Sequence, residues 1–458
     1  MGASVLPVAA ALPLPGMFQM VASAPLTPQL SGDTGDAFKI PLPNPTKAGN
    51  CIILGITYPN GNTPTVTDNN GNTWGTATKT QVGAANTSAV FVLLNANAGQ
   101  TLVTVTFGAS ISPFQYTIAE FYNVATASAG AGSTSAATTG SGLAAGSFTP
   151  TNNNATGGNL IWMYTCSGDS SGPTAPTNWS PGSGFTLLDA DISVPTAQGL
   201  PHASQYIVQT TAAAINPGFT VTGAGGGDHY NNIAIALKAA NAGNGPPSTI
   251  YVRKILNFMD QNTPGPWTLQ TPCDGNLRCF VSFGGTGNTA VTDNASNTWT
   301  HVGTQNIMYY QANQPASQTL KVTFNPSPFA GNPFCVQILD IANALASPFD
   351  TSAEDLNVDY SGLTSGSNHP NITPSAAGEL VVCFASMGTG PGLSVTSPPG
   401  ATFQFVLYTG ETDNCSMTTA NLFAMGISQS NALQHWNWTF SNQAGNSSSA
   451  AAVAFKSA

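Results

Sequence analysis

The segment with the strongest likeness to a catalytic motif is CSGDSSGP, residues 166–173. It differs by one residue from C-x-G-D-S-G-G-P, the pattern around the nucleophile of one class of serine protease. It also fits the nucleophile-elbow pattern G-x-S-x-G. In either case Ser170 would attack a carbonyl carbon, and it would need a histidine base held in place by an aspartate.

The order of residues along the chain argues against that chemistry. The protease order places a histidine and an aspartate before the serine, whereas the first histidine of this chain is His202. The order serine, aspartate, histidine would recruit Asp189 or Asp191 with His202 or His229. That order belongs to an α/β fold with a helix after the serine, and no helical pattern follows Ser171. We therefore interpret the segment as a turn.

A second motif, TDNNGNTW in residues 67–74, recurs once as TDNASNTW in residues 292–299. It approaches the Asp-box of sialidase-like propellers, but propeller blades repeat every 40–50 residues or so. A hairpin turn capped by the aspartate is the better interpretation, with the tryptophan in the core and at the start of the next strand. The capping and core residues are Asp68, Trp74, Asp293 and Trp299.

The segment DLNVD, residues 355–359, places oxygen ligands at alternate positions, as at the start of a calcium loop. The glycine expected at the sixth position is Tyr360, and no glutamate stands at the twelfth. We expect no cofactor. A structural Ca²⁺ at Asp355, Asn357 and Asp359 stays open beside the alternative of a solvated acidic loop.

Two tryptophans, Trp436 and Trp438, stand in an alternating stretch, so both indole rings point to one face of a strand. Such a pair can stack on sugar rings when it lies on the surface of a sheet. Phe440 has the same parity, which favours the alternative that all three side chains fill a sandwich core. Glycan binding and core packing both stay open for this pair.

The segments around these motifs occur twice along the chain. The matched pairs are GNCIILG (49–55) with GNLRCFV (275–281), TLVTVTF (101–107) with TLKVTF (319–324), FQYTIAEFYNV (114–124) with FCVQILDIANA (334–344), and GGNLIWMY (157–164) with AGELVVCF (377–384). The third pair aligns Glu120 with Asp340. Since the order of the matched segments never changes, the sequence predicts a tandem duplication.

Each matched segment is a short run rich in Val, Ile, Thr, Phe and Tyr, bounded by Gly, Asn, Pro or Ser, which is typical of strands. TLVTVTF alternates apolar and polar residues, so its strand should have one buried and one wet face. No amphipathic helical stripe longer than two turns is present. The sequence predicts an all-β protein of two tandem antiparallel β-sandwich domains of jelly-roll type.

The domain boundaries follow from composition. Residues 1–34 should form an extended apolar N-terminal arm that packs on its own fold or on a neighbouring subunit, and they lack the basic region of a secretory signal. Prolines interrupt any membrane-spanning helix there. The first sandwich is assigned to residues 35–240, a Gly/Pro/Asn linker to 241–250, and the second sandwich to 251–458.

Two local features predict loops. The low-complexity stretch at 125–147 is rich in Ala, Gly, Ser and Thr and predicts a long exposed loop. Asn70-Gly71 predicts a tight turn, whereas the second copy has Ala295-Ser296, which predicts a turn of different geometry.

The composition excludes some partners. Charged residues make up 6% of the chain and the net charge is −10, whereas about 25% is usual for a soluble domain. Nine scattered Lys and Arg residues cannot form the basic stripe that nucleic acid requires. A polar but uncharged surface suits packing into an assembly or contact with glycan. We expect other copies of the chain, other particle proteins and host glycan as partners, without nucleic acid or membrane insertion.

Seven cysteines are few for a disulfide-stapled chain of this length. Cys273 and Cys279 are close enough in sequence to form a disulfide, and an odd total leaves at least one thiol unpaired. No C-x-x-C pair or His/Cys cluster has the spacing of a zinc site. Core packing is the favoured role for most of these cysteines.

The pattern V-T-D-x-x-x-N-T-W, with V-T-F and then an apolar strand containing Glu or Asp after it, resembles tandem β-sandwich modules. Such modules occur in structural and host-contact proteins of tailed phages and in secreted bacterial surface proteins. The resemblance covers residues 35–240 and 255–458, and it implies no catalytic residues.

These observations together predict a non-enzymatic structural protein on the exterior of a virion. It would be a phage decoration, spike or fibre-type subunit that assembles through its N-terminal arm and its sandwich surfaces. The first alternative is a secreted or cell-surface carbohydrate-binding adhesin, which rests on Trp436 and Trp438. The second alternative is a polysaccharide-degrading enzyme, although no carboxylate pair or triad emerges from the spacing.

Overall fold

The computed structural model has an all-β architecture with antiparallel sheets, as the sequence predicts. It describes residues 14–22, 37–42, 45–100, 102–109, 111, 114–122, 124–136, 142–150, 159–169, 176–190, 200–209, 212–225, 227–239, 250–260, 266–283, 288–304, 308–315, 318–326, 334–359, 367–368, 371–388, 393–396, 404–409, 419–428, 430–433, 437–440 and 447–458. Within these ranges no helix is long and apolar enough to cross a membrane.

The strands fall into four groups of eight along the chain, which we call units 1 to 4. Unit 1 contains β1 (Leu14–Ala22), β2 (Ala37–Pro41), β3 (Cys51–Pro59), β4 (Thr65–Asp68), β5 (Lys79–Val82), β6 (Asn86–Leu93), β7 (Leu102–Thr106) and β8 (Gln115–Tyr122). Unit 2 contains β9 (Val124–Ala136), β10 (Gly142–Ala144), β11 (Asn159–Ser167), β12 (Asn178–Pro181), β13 (Thr186–Ala190), β14 (His202–Gln209), β15 (Gly218–Thr222) and β16 (Tyr230–Ala239). Unit 3 contains β17 (Tyr251–Asp260), β18 (Trp267–Cys273), β19 (Leu277–Phe283), β20 (Asn288–Asp293), β21 (Thr300–Val302), β22 (Met308–Gln311), β23 (Gln318–Pro326) and β24 (Phe334–Ala342). Unit 4 contains β25 (Ala344–Asp359), β26 (Ser367–Asn368), β27 (Leu380–Gly388), β28 (Leu393–Thr396), β29 (Gln404–Thr409), β30 (Thr419–Ile427), β31 (Asn437–Phe440) and β32 (Ser447–Ser457).

All four units share one strand connectivity. In each unit the fifth, sixth, third, eighth and first strands are neighbours in one sheet, in that order. The second, seventh and fourth strands form another sheet, again in that order. Eight strands divided in this way between two sheets form a jelly roll. Each half of the chain therefore contains two jelly-roll units, where the sequence comparison predicts one sandwich.

A short sequence signature precedes the third strand of every unit. It consists of a glycine, then Asn or Glu, then the apolar run of the strand. The four copies are Gly49-Asn50, Gly158-Asn159, Gly275-Asn276 and Gly378-Glu379. Two of these glycines have positive φ, 84° at Gly49 and 87° at Gly378, which glycine adopts without steric cost.

The five-stranded sheets of units 1 and 2 pack face to face, so β3 and β11 are buried on both sides. Ile53 and Trp162 belong to the core between the two sheets. Leu54 and Met163 point the other way, into the interiors of their own units. This double burial explains why the two strands are continuous apolar runs rather than alternating ones. By contrast, every second residue of β7 is buried, as its alternating sequence predicts.

The N-terminal segment that the sequence predicts as an arm contains the first strand of unit 1. β1 lies between β8, to which it is antiparallel, and β17, to which it is parallel. It joins the five-stranded sheets of units 1 and 3 into one ten-stranded sheet. The segment does pack on its own fold, but as an integral strand of the repeat, equivalent in position to β17.

Two segments predicted as loops are strands. The stretch 125–147 includes most of β9, which pairs with β16. A Cβ at Gly132 of β9 would lie 2.6 Å from the carbonyl oxygen of Ala234, so small residues allow this close pairing. The acidic segment 355–359 is the end of β25, which pairs with β32. The low-complexity segment therefore lies mostly in β9, an edge strand of unit 2, and the acidic segment lies in β25, an edge strand of unit 4.

Candidate binding cleft between units 2 and 3

The structure does not bring the candidate triad residues together at an accessible point of the described chain. Ser170 and Asp191 lie outside the described residues. His202 is fully buried between units 1 and 2, with its Nδ1 3.0 Å from Gln115 Nε2. Asp189 is equally buried there and accepts a hydrogen bond from the hydroxyl of Thr117. Both residues hold the two units together and are closed to a substrate.

The remaining candidate, His229, contacts Asp169 of the CSGDSSGP segment. The backbone N of His229 donates to Asp169 Oδ2 at 2.7 Å, and its Nδ1 lies 3.2 Å from Asp169 Oδ1. The backbone N of Gly168 also donates to the carbonyl oxygen of His229 at 2.8 Å. Asp169 of the protease-like motif therefore links the end of β11 to the loop before β16, which contains His229.

The first TDNNGNTW motif is a turn closed by one carboxylate. Asp68 Oδ1 accepts hydrogen bonds from the backbone N of Asn70 at 2.8 Å and of Asn72 at 3.2 Å. The indole Nε1 of Trp74 donates to Asp68 Oδ2 at 2.7 Å. A single aspartate thus satisfies three donors within six residues, which is an Asx-type turn.

The second copy repeats this geometry and adds two bonds, one of them from Asn297 Nδ2 to Asp293 Oδ2 at 3.1 Å. Asp293 Oδ1 accepts from the backbone N of Ala295 at 2.9 Å and of Asn297 at 3.1 Å. Its Oδ2 accepts from Trp299 Nε1 at 3.1 Å and from Gln311 Nε2 at 2.6 Å. Burial opposes ionisation of Asp293, but the bonds from Gln311 and Asn297 outweigh it and lower its pKa below 3.8.

The prediction that the two turns differ in geometry is wrong. Ser296 adopts φ = 59°, close to the 67° of Gly71 in the first copy. The turn requires a left-handed residue, and serine accepts that strain because the aspartate fixes both flanking amides. The tryptophans, at positions 74 and 299, are half-buried at the edge of the core, and β5 begins only at Lys79.

For the candidate sugar-binding and metal-binding residues, the structure describes at most the backbone positions. Trp436 lies outside the described residues, and Trp438 is placed only by its backbone pairing with Ser367 and Val395. Asp355 and Asp359 stand in strand pairing with β32, and Asn357 lies between them in the same strand. Within the described ranges, no group of three His, Cys, Asp or Glu residues is placed to hold a metal ion.

The predicted disulfide candidates do not pair. Cys273, on β18 of the three-stranded sheet, faces the interior of unit 3. Cys279, on β19, lies on the face of the ten-stranded sheet that points away from that interior. Both are buried, as are Cys51, Cys166 and Cys383. Core packing is their role, as expected from the small number of cysteines.

Glu120 is a buried carboxylate near the end of β8, and sequence reasoning assigned it no role. Its Oε1 accepts hydrogen bonds from Asn50 Nδ2 at 2.7 Å and from the backbone N of Lys47 at 3.1 Å. Burial nevertheless raises the pKa of Glu120 to about 7. Its aligned partner Asp340 likewise accepts from a backbone N, that of Gly275, at 2.9 Å. Alignment of the two halves matches these two residues, and the structure adds that both carboxylates are buried and accept backbone hydrogen bonds.

We expect Glu120→Gln to gain stability relative to the wild type as the pH rises. The folded-state pKa of about 7 exceeds the ordinary value of 4.5, so the folded protein binds more protons between these values. The contribution of the protonated carboxyl is complete below pH 4.5 and is lost as the pH rises through 7. Melting temperatures of both proteins from about pH 4 to about pH 8 measure this. A difference that stays constant over that range contradicts the raised pKa.

A cleft of about 510 Å³ opens where unit 2 meets unit 3. Its walls come from β12 and β13 of unit 2 and from β18 and β23 of unit 3. The volume falls within the range of small-ligand pockets, about 300–1,000 Å³. The amide and hydroxyl side chains that line it are Asn178, Ser180, Thr186, Gln270, Asn294, Gln318 and Thr319.

Contacts between the units hold the walls of this cleft together. Gln270 exchanges two hydrogen bonds with the backbone of Trp179, each 3.2 Å long. Lys321 Nζ donates to the carbonyl oxygen of Thr177 at 3.0 Å. Each of these bonds joins a residue of unit 2 to a residue of unit 3. The cleft therefore exists only when both units are folded against each other.

Comparison with known proteins leaves the family open. No protein family matches the chain, and no curated protein matches it. The structure is similar to one described as "The Triple Jelly Roll Fold and Turret Assembly in an Archaeal Virus", with 11% identity and a TM-score of 0.16. The match covers 73% of this chain and 89% of that one. At so low a TM-score the similarity carries no argument, and function has to be inferred from the residues.

Proposed function

We propose that the protein is a non-enzymatic structural subunit on the exterior of a virion, of the decoration, spike or fibre type. The observation that carries the proposal is the tandem array of four jelly rolls with β1 at the seam between units 1 and 3. Jelly rolls are recurrent building blocks of viral capsids. The ten-stranded sheet that runs across units 1 and 3 ties them into one body, which suits a structural subunit.

The surface chemistry supports a subunit whose faces are covered by neighbours. With 6% charged residues, adjacent copies repel each other weakly. Asn, Thr, Ser and Gln side chains can replace their bonds to water by bonds across an interface. A freely diffusing protein normally carries more charge, because charge keeps it soluble.

β1 supports assembly by strand exchange. It pairs with two strands from different units, so its removal exposes two rows of backbone N–H and C=O groups. The β1 strand of another copy presents the same backbone groups and can fill the same slot. Exchange of an identical element is a low-cost route to oligomers. We therefore place the assembly contact at the slot between β8 and β17.

Deletion of residues 1–36 tests this assignment. Light scattering and electron microscopy should show rings, trimers or filaments for the full chain and loss of that order for the deletion variant. A synthetic peptide of residues 14–22 should bind the deletion variant, and a scrambled peptide of the same composition should not. Monomers of both proteins, with unchanged circular dichroism, would contradict the proposal.

Carbohydrate binding on the same exterior surface is the second candidate function. The cleft between units 2 and 3 favours it, because amide and hydroxyl side chains converge there from both halves of the chain.

A further inference from the structure

We propose that the cleft between units 2 and 3 binds a neutral saccharide of one or two sugar rings. The inference goes beyond assembly, since the slot of β1 and this cleft are built from different strands. It also rests on residues other than Trp436 and Trp438, the pair that the sequence indicates as a candidate for sugar stacking.

The lining has the chemistry that sugars require. Side-chain amides donate and accept hydrogen bonds at once, which matches the paired hydroxyl groups on a sugar ring. Asn178 and Asn294 line this space from unit 2 and unit 3 respectively, whereas the amide of Gln270 is already bonded to the backbone of Trp179. Phe185 and Pro272 add apolar surface from opposite units, against which the C–H face of a ring can pack. A few polar groups on a partly apolar surface are typical of ligand sites.

One buried acceptor in the cleft lacks a donor. The side-chain oxygen Oε1 of Gln318 is buried and accepts no hydrogen bond from the residues that the structure describes. A buried polar atom without a hydrogen-bond partner lowers stability, because it has given up its bonds to water. If the Gln318 side chain turns toward the cleft, a ligand hydroxyl can donate to this oxygen and recover that lost stability on binding.

The charges of the lining favour a neutral ligand. Its lysine, Lys321, already donates to the carbonyl oxygen of Thr177 at 3.0 Å. Its carboxylate, Asp274, lies 3.0 Å from Arg253 Nη1. With one cation and one anion, both engaged, the described lining neither attracts an acidic sugar nor supplies the carboxylate pair of a glycosidase. Binding without hydrolysis follows.

Isothermal titration of the full chain with the methyl glycosides of glucose, galactose, mannose and N-acetylglucosamine tests the proposal. At least one should bind saturably, with a dissociation constant on the order of 1 mM or below. Gln318→Leu and Phe185→Ala should each weaken that binding about tenfold, the effect of one lost hydrogen bond or packing surface. The matched control is Gln81→Leu, on β5 of unit 1, which should bind as the wild type.

The melting temperature of each variant controls for folding. If Gln318→Leu does not fold, the exposed Thr186 on the opposite wall supplies a second variant, Thr186→Ala, with the same expected loss. The proposal is overturned if none of the four glycosides binds saturably. It is also overturned if the folded cleft variants bind as tightly as Gln81→Leu.

Discussion

Replacement of Trp162 by alanine is expected to destabilise the protein by about 3–5 kcal/mol. The side chain is fully buried between the five-stranded sheets of units 1 and 2. Its ring stacks on Tyr164 at a centroid distance of 6.2 Å, and a Cβ added at Gly55 would lie 3.0 Å from it. Two hydrogen-bonded sheets cannot close around the cavity that alanine leaves. Calorimetry should show the melting temperature falling by an amount on the order of 10 °C.

Two further variants sharpen that measurement. Trp162→Phe keeps most of the packing and should lose less stability than the alanine variant. Leu433→Ala is the control, because Leu433 is 56% exposed and surface changes usually cost less than about 0.5 kcal/mol. Hydrogen exchange should show that Trp162→Ala weakens protection in β3 as well as β11. Loss confined to unit 2 would contradict the face-to-face packing of the two sheets.

Asp293→Ala is expected to cost about 2 kcal/mol, because several donors lose their acceptor at once. They are the backbone N of Ala295 and Asn297, the indole of Trp299 and the side-chain amides of Asn297 and Gln311. Their partial exposure to water limits the loss. Asp68→Ala is the matched variant in unit 1 and should cost less, since Asp68 accepts three bonds and lacks counterparts of those from the side chains of Gln311 and Asn297. Equal losses in the two variants would show that these two bonds contribute nothing.

The same carboxylate makes stability depend on pH. Because the folded-state pKa of Asp293 lies below 3.8, its contribution is present above pH 3.8 and is lost as the pH falls through the folded value. Asp293→Asn cannot titrate, so its melting temperature should fall less than that of the wild type in acid. Parallel melting curves for the two proteins below about pH 4 would refute the lowered pKa.

Some features of the molecule were predictable because short-range physics determines them. β-branched and aromatic runs bounded by turn residues gave the all-β class, and alternation in β7 gave its single buried face. The Asp-capped turns are also local, since Asp68 reaches donors no more than six residues away. Even there, the left-handed conformation of Ser296 departs from residue preference, because the bonds to Asp293 outweigh it.

One missed feature left a signal in the sequence. The signature of a glycine, then Asn or Glu, then the apolar run of the third strand stands at 49–50, 158–159, 275–276 and 378–379. Comparison between halves of the chain matched the first with the third and the second with the fourth. Comparison within each half would have indicated that every half contains two units.

What the sequence determined by itself is the strand content, the tandem duplication, the capped turns and the near absence of charge. The tertiary structure decided the place of β1 in the ten-stranded sheet, the strands at 124–136 and 344–359, and the cleft. Those features depend on pairs far apart along the chain, such as Gln270 with Trp179, 91 positions away. They are stabilised by the burial of whole sheets and by hydrogen bonds to the backbone groups of edge strands. No local pattern of residues encodes either contribution.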